Sequence, residues 1–454
     1  MLVVKFGGTS VGDAEAIERV ATIVRARLAR RPIVVVSAMA GVTNQLLSLA
    51  HAAANGGLLA ALDAIGDLKQ RHTVTAERLL GAPAPQGIIS ELDALLRELA
   101  SLAEALATLG FVTPRSLDAI AAIGERLSAP LVTALLLARG IPASLVDARR
   151  VIRTDSHFTQ AAPDLPAIRQ AVFDEVVPVV ARDEVPVLGG FIGSNERGVT
   201  TTLGRGGSDF SAALIGAALR ADAIEIWTDV DGMLTADPRV IPEARRIEQV
   251  TFDEAAELAS FGAKVLHPST IAPAVRDGVP VFVFNSRRPA DGGGGTRIAL
   301  DAPRRGVSAI AAKRGVPLVS VRTAEMLLAH GFLRRVFEVF ERHRTSVDLV
   351  STSEVSISVT PDDVARLDDV IADLRPLGEV QVQWDCGVIA VVGTGLADGG
   401  QYMARAFAAL GDTPVHMASL SASGLNLSLV VDGQRVVDTM RRLHAAFFGD
   451  GAAA

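Results

Sequence analysis

Several short segments of this chain bring glycines, hydroxyl side chains and isolated charges together in a way that suits phosphate chemistry. The first is Lys5-Phe6-Gly7-Gly8-Thr9-Ser10. Glycines let backbone N–H groups approach an anion, a following helix N-terminus adds positive potential, and Lys5 adds a full charge. A tight strand-to-helix turn with a snorkelling lysine accounts for this loop equally well when it is taken alone. It is neither a Walker loop, since no Gly-Lys-Ser/Thr occurs, nor a dinucleotide fingerprint. The second segment, Ser37 to Asn44, places Ser37, Thr43 and Asn44 after an apolar run; Thr43 or Asn44 would also serve as a plain helix cap. Glu125 stands among apolar neighbours in Gly124-Glu125-Arg126-Leu127-Ser128, where an exposed helix carboxylate is the commoner reading.

The densest signal runs from Gly189 to Asp209, with Phe191, Arg205, Ser208 and Asp209 set among glycines and threonines. Arginine holds a carboxylate bidentately, and Asp209 is suited to orient a lysine or a hydrated Mg²⁺. Ser208 alone reads as an N-cap, but a cap does not explain the whole run. Next, Trp227 to Arg239 supplies Thr228, Asp229, Leu234 and Arg239 in a loop forced by Gly232 and Pro238, with groups for ribose, base edge and phosphate. Phe261 to Pro268 carries Lys264, one of only four lysines among 44 basic residues; His267 beside Pro268 reads as structural. In so arginine-rich a chain, a lysine hints that a compact ammonium is needed.

These segments need strand ends to hold them. Residues 2–5 and 33–36 read as buried strands, followed by strands at 143–146, 185–191, 222–227 and 280–284. Helices are predicted from Asp13 onward, through the Ala/Leu-rich region 44–140, and at 166–182, 208–220, 251–260 and 268–277, the third with Thr251 and Glu254 as a capping box. Such alternation predicts a mostly parallel sheet covered on both faces. The glycine run at 291–295 reads as a linker. Beyond it the order strand 316–322, helix 331–343, strands 346–350 and 354–360, helix 362–374 and strand 379–384 gives βαββαβ. A second round starts at 387 but lacks its last strand, so the apolar segment 307–312 is expected to fill that place.

Composition narrows the function. The 454 residues suggest two to four domains, and the net charge of −7 argues against a nucleic-acid-binding surface. The most apolar stretch, 129–138, is short and contains Pro130 and Thr133, so no membrane span is expected; the N-terminus lacks the pattern of a signal peptide. The single cysteine, Cys386, excludes an intrachain disulfide and fits a cytoplasmic location.

Taken together, KFGGTS, SAMAGVTN, TTLGRGGSDFSA, TDVDGMLTADPR and FGAKVLHP resemble the aspartate kinases of the amino-acid kinase family, in order over essentially the whole chain. The resemblance implies an α/β fold, a three-layer αβα sandwich at 1–292, followed by two βαββαβ ACT domains, one at 314–385 and the other made from 305–313 plus 386–449. It implies phosphorylation of the side-chain carboxylate of L-aspartate by ATP with Mg²⁺, the first step towards lysine, threonine and methionine, and no metal site of the protein's own. In that reading Lys5 and Lys264 contact the ATP phosphates, Gly7, Gly8, Ser37 and Asp209 line the transfer site, and Thr43, Glu125, Phe191, Arg205, Ser208 and Asp209 build the aspartate pocket. Glu125 answers the substrate ammonium and Arg205 its α-carboxylate. Thr228, Asp229, Leu234 and Arg239 hold the nucleotide, with Leu234 a departure from the tyrosine often found there. Met326, Gly331, Phe332, Leu333, Asp348 and Ser353 resemble the effector pocket of lysine-inhibited members, although Ala329 replaces a frequent serine; threonine is the second candidate effector. ACT domains further imply a homodimer or higher homo-oligomer. Kinases of glutamate or N-acetylglutamate, an inactive ACT-type amino-acid sensor, and the kinase portion of a bifunctional chain are the competing readings.

Overall fold

A computed structural model describes residues 1–261, 268–289, 294–301, 306–327 and 329–449, without the side chains of residues 268 and 269. Taking those residues alone, the chain folds into two compact units. One comprises Met1–Met233, Glu248–Phe252 and residues 268–301; the other comprises Leu234–Ile247 and residues 253–261 and 306–449.

The first unit is built on an eight-stranded sheet. Its strands are β1 (Leu2–Phe6), β2 (Pro32–Val36), β3 (Ala143–Leu145), β4 (Val185–Gly189), β7 (Ala223–Thr228), β8 (Gln249–Thr251), β9 (Val281–Asn285) and β10 (Thr296–Ala299); β5 (Ile192–Ser194) and β6 (Thr200–Thr202) form a separate antiparallel pair. The order is β3-β4-β2-β1-β7-β9-β10-β8, parallel except between β9 and β10. Every residue of β1, β2 and β4 is buried, as expected for parallel strands covered on both faces. On one face, Ile17, Val20 and Val24 of helix α1 (Ala14–Arg25) pack with Val34 and Val36. The helix Gly207–Leu219 covers the other face, with Gly216 tight against the sheet: a Cβ there would sit 2.6 Å from Ile224. The N-terminus of α1 is set by Asp13, whose carboxylate accepts the Ala16 N–H at 2.8 Å.

The Ala/Leu-rich region forms five helices, α2 (Val42–Ala54), α3 (Leu58–Leu80), α4 (Gln86–Leu109), α5 (Pro114–Ala121) and α6 (Ile123–Ala138), around a second apolar core. The helical span Pro114–Ala138 is long and apolar enough to cross a membrane by composition, but 83% of its apolar window is buried inside the protein.

The second unit contains a six-stranded antiparallel sheet made from β11 (Gly306–Arg322), β12 (Val347–Thr352), β13 (Ser356–Pro361), β14 (Glu379–Thr394), β15 (Met417–Leu420) and β16 (Asn426–Asp432), in the order β12-β13-β11-β14-β16-β15. Two long strands run through both βαββαβ motifs. Residues 316–322 of β11 pair with 379–386 of β14 in the first motif, and residues 306–314 pair with 387–394 in the second. The sequence pattern treats these as four short strands because each long strand is interrupted midway. Gly315 and Asp385 both have positive φ (68° and 56°), and the β11–β14 register shifts on either side of Val316.

Segments 234–247 and 253–261 fall within 1–292, which the sequence groups as one domain. In the structure they join the second unit: Ala236 and Ile241 share its core with Ile389, Leu429 and Leu443. Thr235 fixes the first of them, with its Oγ1 2.9 Å from His444 Nε2 and its carbonyl accepting the Ile310 N–H at 2.8 Å.

Candidate active site

Because β1, β2, β4 and β7 are parallel, their C-terminal ends lie along one edge, where open α/β sheets bind ligands. β1 runs into Gly7-Gly8, β2 into Ser37-Ala38, and β4 into Gly190-Phe191. The helix Gly207–Leu219 begins beside them, with Gly206 (φ 71°) as its N-cap and no side chain bonded there. Its first amide N–H groups therefore lack intrahelical partners and make the position attractive to an anion.

A cavity of about 600 Å³ opens among these ends. It is lined by Lys5, Gly8, Ser37 and Thr43, by Glu125 and Phe191, and by Arg205, Ser208 and Asp209. Segments far apart in sequence thus converge on one space. Lys5 is 7% exposed and its Nζ lies 2.6 Å from Asp209 Oδ1. Glu125 is 3% exposed; its Oε1 accepts the Ala38 N–H at 3.1 Å, while its Oε2 has no hydrogen-bond partner. Burial pushes the Glu125 carboxyl up to about 8; the Ala38 N–H, its own N–H and the Lys5 charge pull the other way without overcoming it. Ser128 ties this helix to the β2 end by donating to the Ser37 carbonyl at 2.7 Å.

Close approach explains two of the glycines. A Cβ on Gly189 would lie 2.9 Å from Glu125 Cβ, and one on Gly207 2.6 Å from the Phe191 ring. Phe191 has φ 66°, a conformation costly for an aromatic residue, and is held there by its N–H donating to Ser211 Oγ at 3.0 Å. Arg205 is exposed on the turn before the helix and has no carboxylate partner among the described residues.

Other expected residues lie elsewhere. Gly7 does not line the cavity, and its N–H is committed to the Trp227 carbonyl at 2.9 Å. Thr228 and Asp229, at the end of β7, are joined by a 3.3 Å hydrogen bond and also do not line it. Leu234 and Arg239 belong to the second unit; Leu234 bridges to Arg246, and Arg239 is exposed and paired with Asp237 at 2.7 Å. Lys264 lies outside the described residues.

Of the expected effector residues, Gly331 (φ 79°) is the N-cap of the helix Phe332–Arg342. Phe332 is buried in the first βαββαβ core with Met326 packed against it, and Leu333 is 39% exposed. Asp348 accepts from Lys313 Nζ at 2.8 Å, and Lys313 also pairs with Asp362. Ser353 Oγ lies 2.7 Å from Ser356 Oγ.

One lining residue that sequence reasoning passed over is Asp118, which is 1% exposed. Its signal is its spacing: it precedes Glu125 by seven residues, two helical turns, in an otherwise apolar stretch. Among the described residues no group of three or more His, Cys, Asp or Glu is placed to hold a metal ion.

Known proteins similar to this chain in sequence and fold point one way. The amino acid kinase family profile matches residues 1–285, and an ACT domain profile matches residues 389–447. The chain is 38% identical to lysine-sensitive aspartokinase 3 of Escherichia coli K12 over 456 residues, covering 99% of each. The crystal structure of E. coli aspartokinase III in complex with lysine and aspartate (T-state) aligns with a TM-score of 0.83 at 37% identity, covering 99% of each chain. The same enzyme in complex with aspartate and ADP (R-state) aligns with a TM-score of 0.82 at 38% identity, covering 99% of this chain and 100% of the other.

Proposed function

The chain belongs to the aspartokinases of the amino acid kinase family, and on that footing we propose that it transfers the γ-phosphoryl group of ATP to the side-chain carboxylate of L-aspartate, giving 4-phospho-L-aspartate. The observation that carries this reading is one cavity lined together by the Lys5–Asp209 pair, the buried Glu125 and Arg205, which has no carboxylate partner among the described residues.

The chemistry asks little covalent work of the protein. The substrate's side-chain carboxylate is ionised near neutral pH and is already a nucleophile, so no general base is needed. The difficulty is bringing it to a polyanion, which calls for positive charge and in-line positioning. Lys5, the helix N-terminus at Gly207–Asp209 and the loop at Gly8 supply that charge and shape. Arg205 holds the α-carboxylate and Glu125 the ammonium, with Thr43, Phe191 and Ser208 filling the pocket. An arriving ammonium favours the ionised form of Glu125, so aspartate binding expels the proton that burial keeps there near neutral pH.

ATP enters with Mg²⁺. The residues present fit such an ion: of the three carboxylates lining the cavity, Asp118, Glu125 and Asp209, Asp209 would be its ligand, and phosphate oxygens and water would supply the rest. When bound, it neutralises charge developing on the phosphate oxygens. Thr228, Asp229, Leu234, Arg239 and Lys264 complete the nucleotide site in this reading.

The domains proposed are a kinase domain at 1–292, an ACT domain at 314–385 and a second made from 305–313 plus 386–449. Lysine acts as feedback inhibitor through Met326, Gly331, Phe332, Leu333, Asp348 and Ser353, in a cytoplasmic homodimer or larger homo-oligomer assembled through the ACT domains. A coupled ADP-release assay with aspartate, glutamate or no acceptor tests the activity. ADP release should depend on aspartate; release no faster with aspartate than without an acceptor, or faster with glutamate, would overturn the reading.

A further inference from the structure

Asp118, in α5, contributes a second buried carboxylate to the cavity, and its surroundings differ from those of Glu125. Every strong contact it makes is to a donor on another segment. The Thr159 N–H lies 3.0 Å from both of its oxygens, the Thr202 N–H donates to Oδ2 at 3.0 Å, and Thr202 Oγ1 donates to Oδ1 at 2.6 Å. Three donors converging on one side chain suit a carboxylate anion. With both oxygens engaged, Asp118 is a poor partner for a substrate ammonium, whereas Glu125 keeps one oxygen without a partner.

What Asp118 holds matters because of what comes next. Thr159 has φ 72°, a conformation that needs support in a threonine. Thr202 ends β6, and after Leu203 comes the turn Gly204-Arg205-Gly206, with positive φ at both glycines (78° and 71°). Gly204 rests on Thr159: a Cβ there would lie 3.0 Å from the Thr159 carbonyl oxygen. The carboxylate thus anchors the strand entering the turn and the peptide on which the turn rests.

We propose that Asp118 is a positioning residue of the substrate site, acting through Thr159 and Thr202 to hold the Gly204–Gly206 turn so that Arg205 can grip the α-carboxylate of the amino-acid substrate. This deepens the aspartate kinase reading and rests on its assignment of Arg205.

The test is Asp118→Asn, which keeps the shape but turns an amide NH₂ towards N–H donors. Loss of a charged hydrogen-bond network of this kind corresponds to a roughly 10- to 100-fold rise in KM for aspartate. The kcat should fall less than about threefold and KM for ATP should stay within about twofold, the pattern of lost uniform binding. In an Arg205→Lys background the same substitution should raise the aspartate KM by less than about threefold, because its effect passes through Arg205. An unchanged KM in the single variant, an equal fold-change in both backgrounds, or a loss confined to kcat would overturn the proposal. If Asp118→Asn does not fold, Thr202→Val removes one donor alone and should raise the aspartate KM about 3- to 10-fold; no change there overturns the proposal as well. A wild-type protein without aspartate-dependent turnover would instead refute the functional reading, so the two failures are distinguishable.

Discussion

Lys5 and Asp348 are both charged residues singled out by sequence motifs, and they sit in opposite surroundings. Lys5 is enclosed with Asp209, their side chains 9% and 14% exposed, on the wall of one cavity with Glu125. Asp348 shares Lys313 with Asp362 at a half-open position, both partners of the first pair being 29% exposed. Removing one member of a buried pair strands the other and costs about 3–5 kcal/mol, whereas an exposed pair contributes about 0–1 kcal/mol. On the proposed reading, the difference separates two kinds of site. Phosphoryl transfer needs charge fixed in advance, at a cost in stability. An effector site needs charge that a ligand can capture, and a surface ion pair yields its carboxylate cheaply.

The largest effect should come from the buried side of this contrast. Lys5→Ala should lower kcat by about two orders of magnitude or more, as removal of other electrostatic donors does. A kcat near that of the wild type in steady-state assays would erase the distinction. Next, Arg205→Ala should raise the aspartate KM about 10- to 100-fold while leaving the ATP KM within about threefold, if the bidentate carboxylate contact proposed for Arg205 is what it removes. Loss of ATP binding instead would move Arg205 to the nucleotide.

On the open side, lysine should inhibit and threonine serve as control; Asp348→Asn should raise the lysine concentration for half-inhibition about tenfold, each variant measured against its own uninhibited rate. Absence of inhibition by either amino acid would remove the regulatory half of the comparison. The smallest effect concerns Glu125. Its folded pKa of about 8 lies above the ordinary 4.5, so the stability tied to its neutral form is present below pH 4.5 and lost as the pH rises to about 8. Glu125→Gln, which stays neutral, should therefore melt about 5 °C above the ligand-free wild type at pH 8.5 and close to it at pH 4.5. Equal melting temperatures at both pH values would mean that Glu125 carries no buried-charge penalty.

Much of the cavity could be read from sequence because its parts are local patterns. Lys5 with Gly8, and Arg205 with Asp209, each fall within one strand-to-helix segment whose residue types suit phosphate and carboxylate, and all four line the cavity. Their convergence follows from the parallel order of β1, β2 and β4. Asp118 left only a weak trace, its seven-residue spacing from Glu125: a single acid in a helix looks like a solvated one until the fold brings Thr159 and Thr202 onto it. The commitment of the Gly7 N–H to Trp227 is likewise a product of strand pairing across 220 residues. In the second unit, the strands and helices expected for the first βαββαβ motif are present, and segment 307–312 joins the second motif as expected. Hydrophobic periodicity could not show that strands 306–314 and 316–322 are continuous, because continuity there depends on the backbone at Gly315 rather than on a side-chain pattern.

The most direct measurement is to run the reaction with ATP, aspartate and hydroxylamine and to quantify aspartyl β-hydroxamate, which forms only if the side-chain carboxylate has become an acyl phosphate. The wild type should give one hydroxamate per ADP, and both products should fall together in Lys5→Ala and, at aspartate concentrations near the wild-type KM, in Arg205→Ala. ADP without hydroxamate, or a hydroxamate yield in Lys5→Ala equal to that of the wild type, would contradict it.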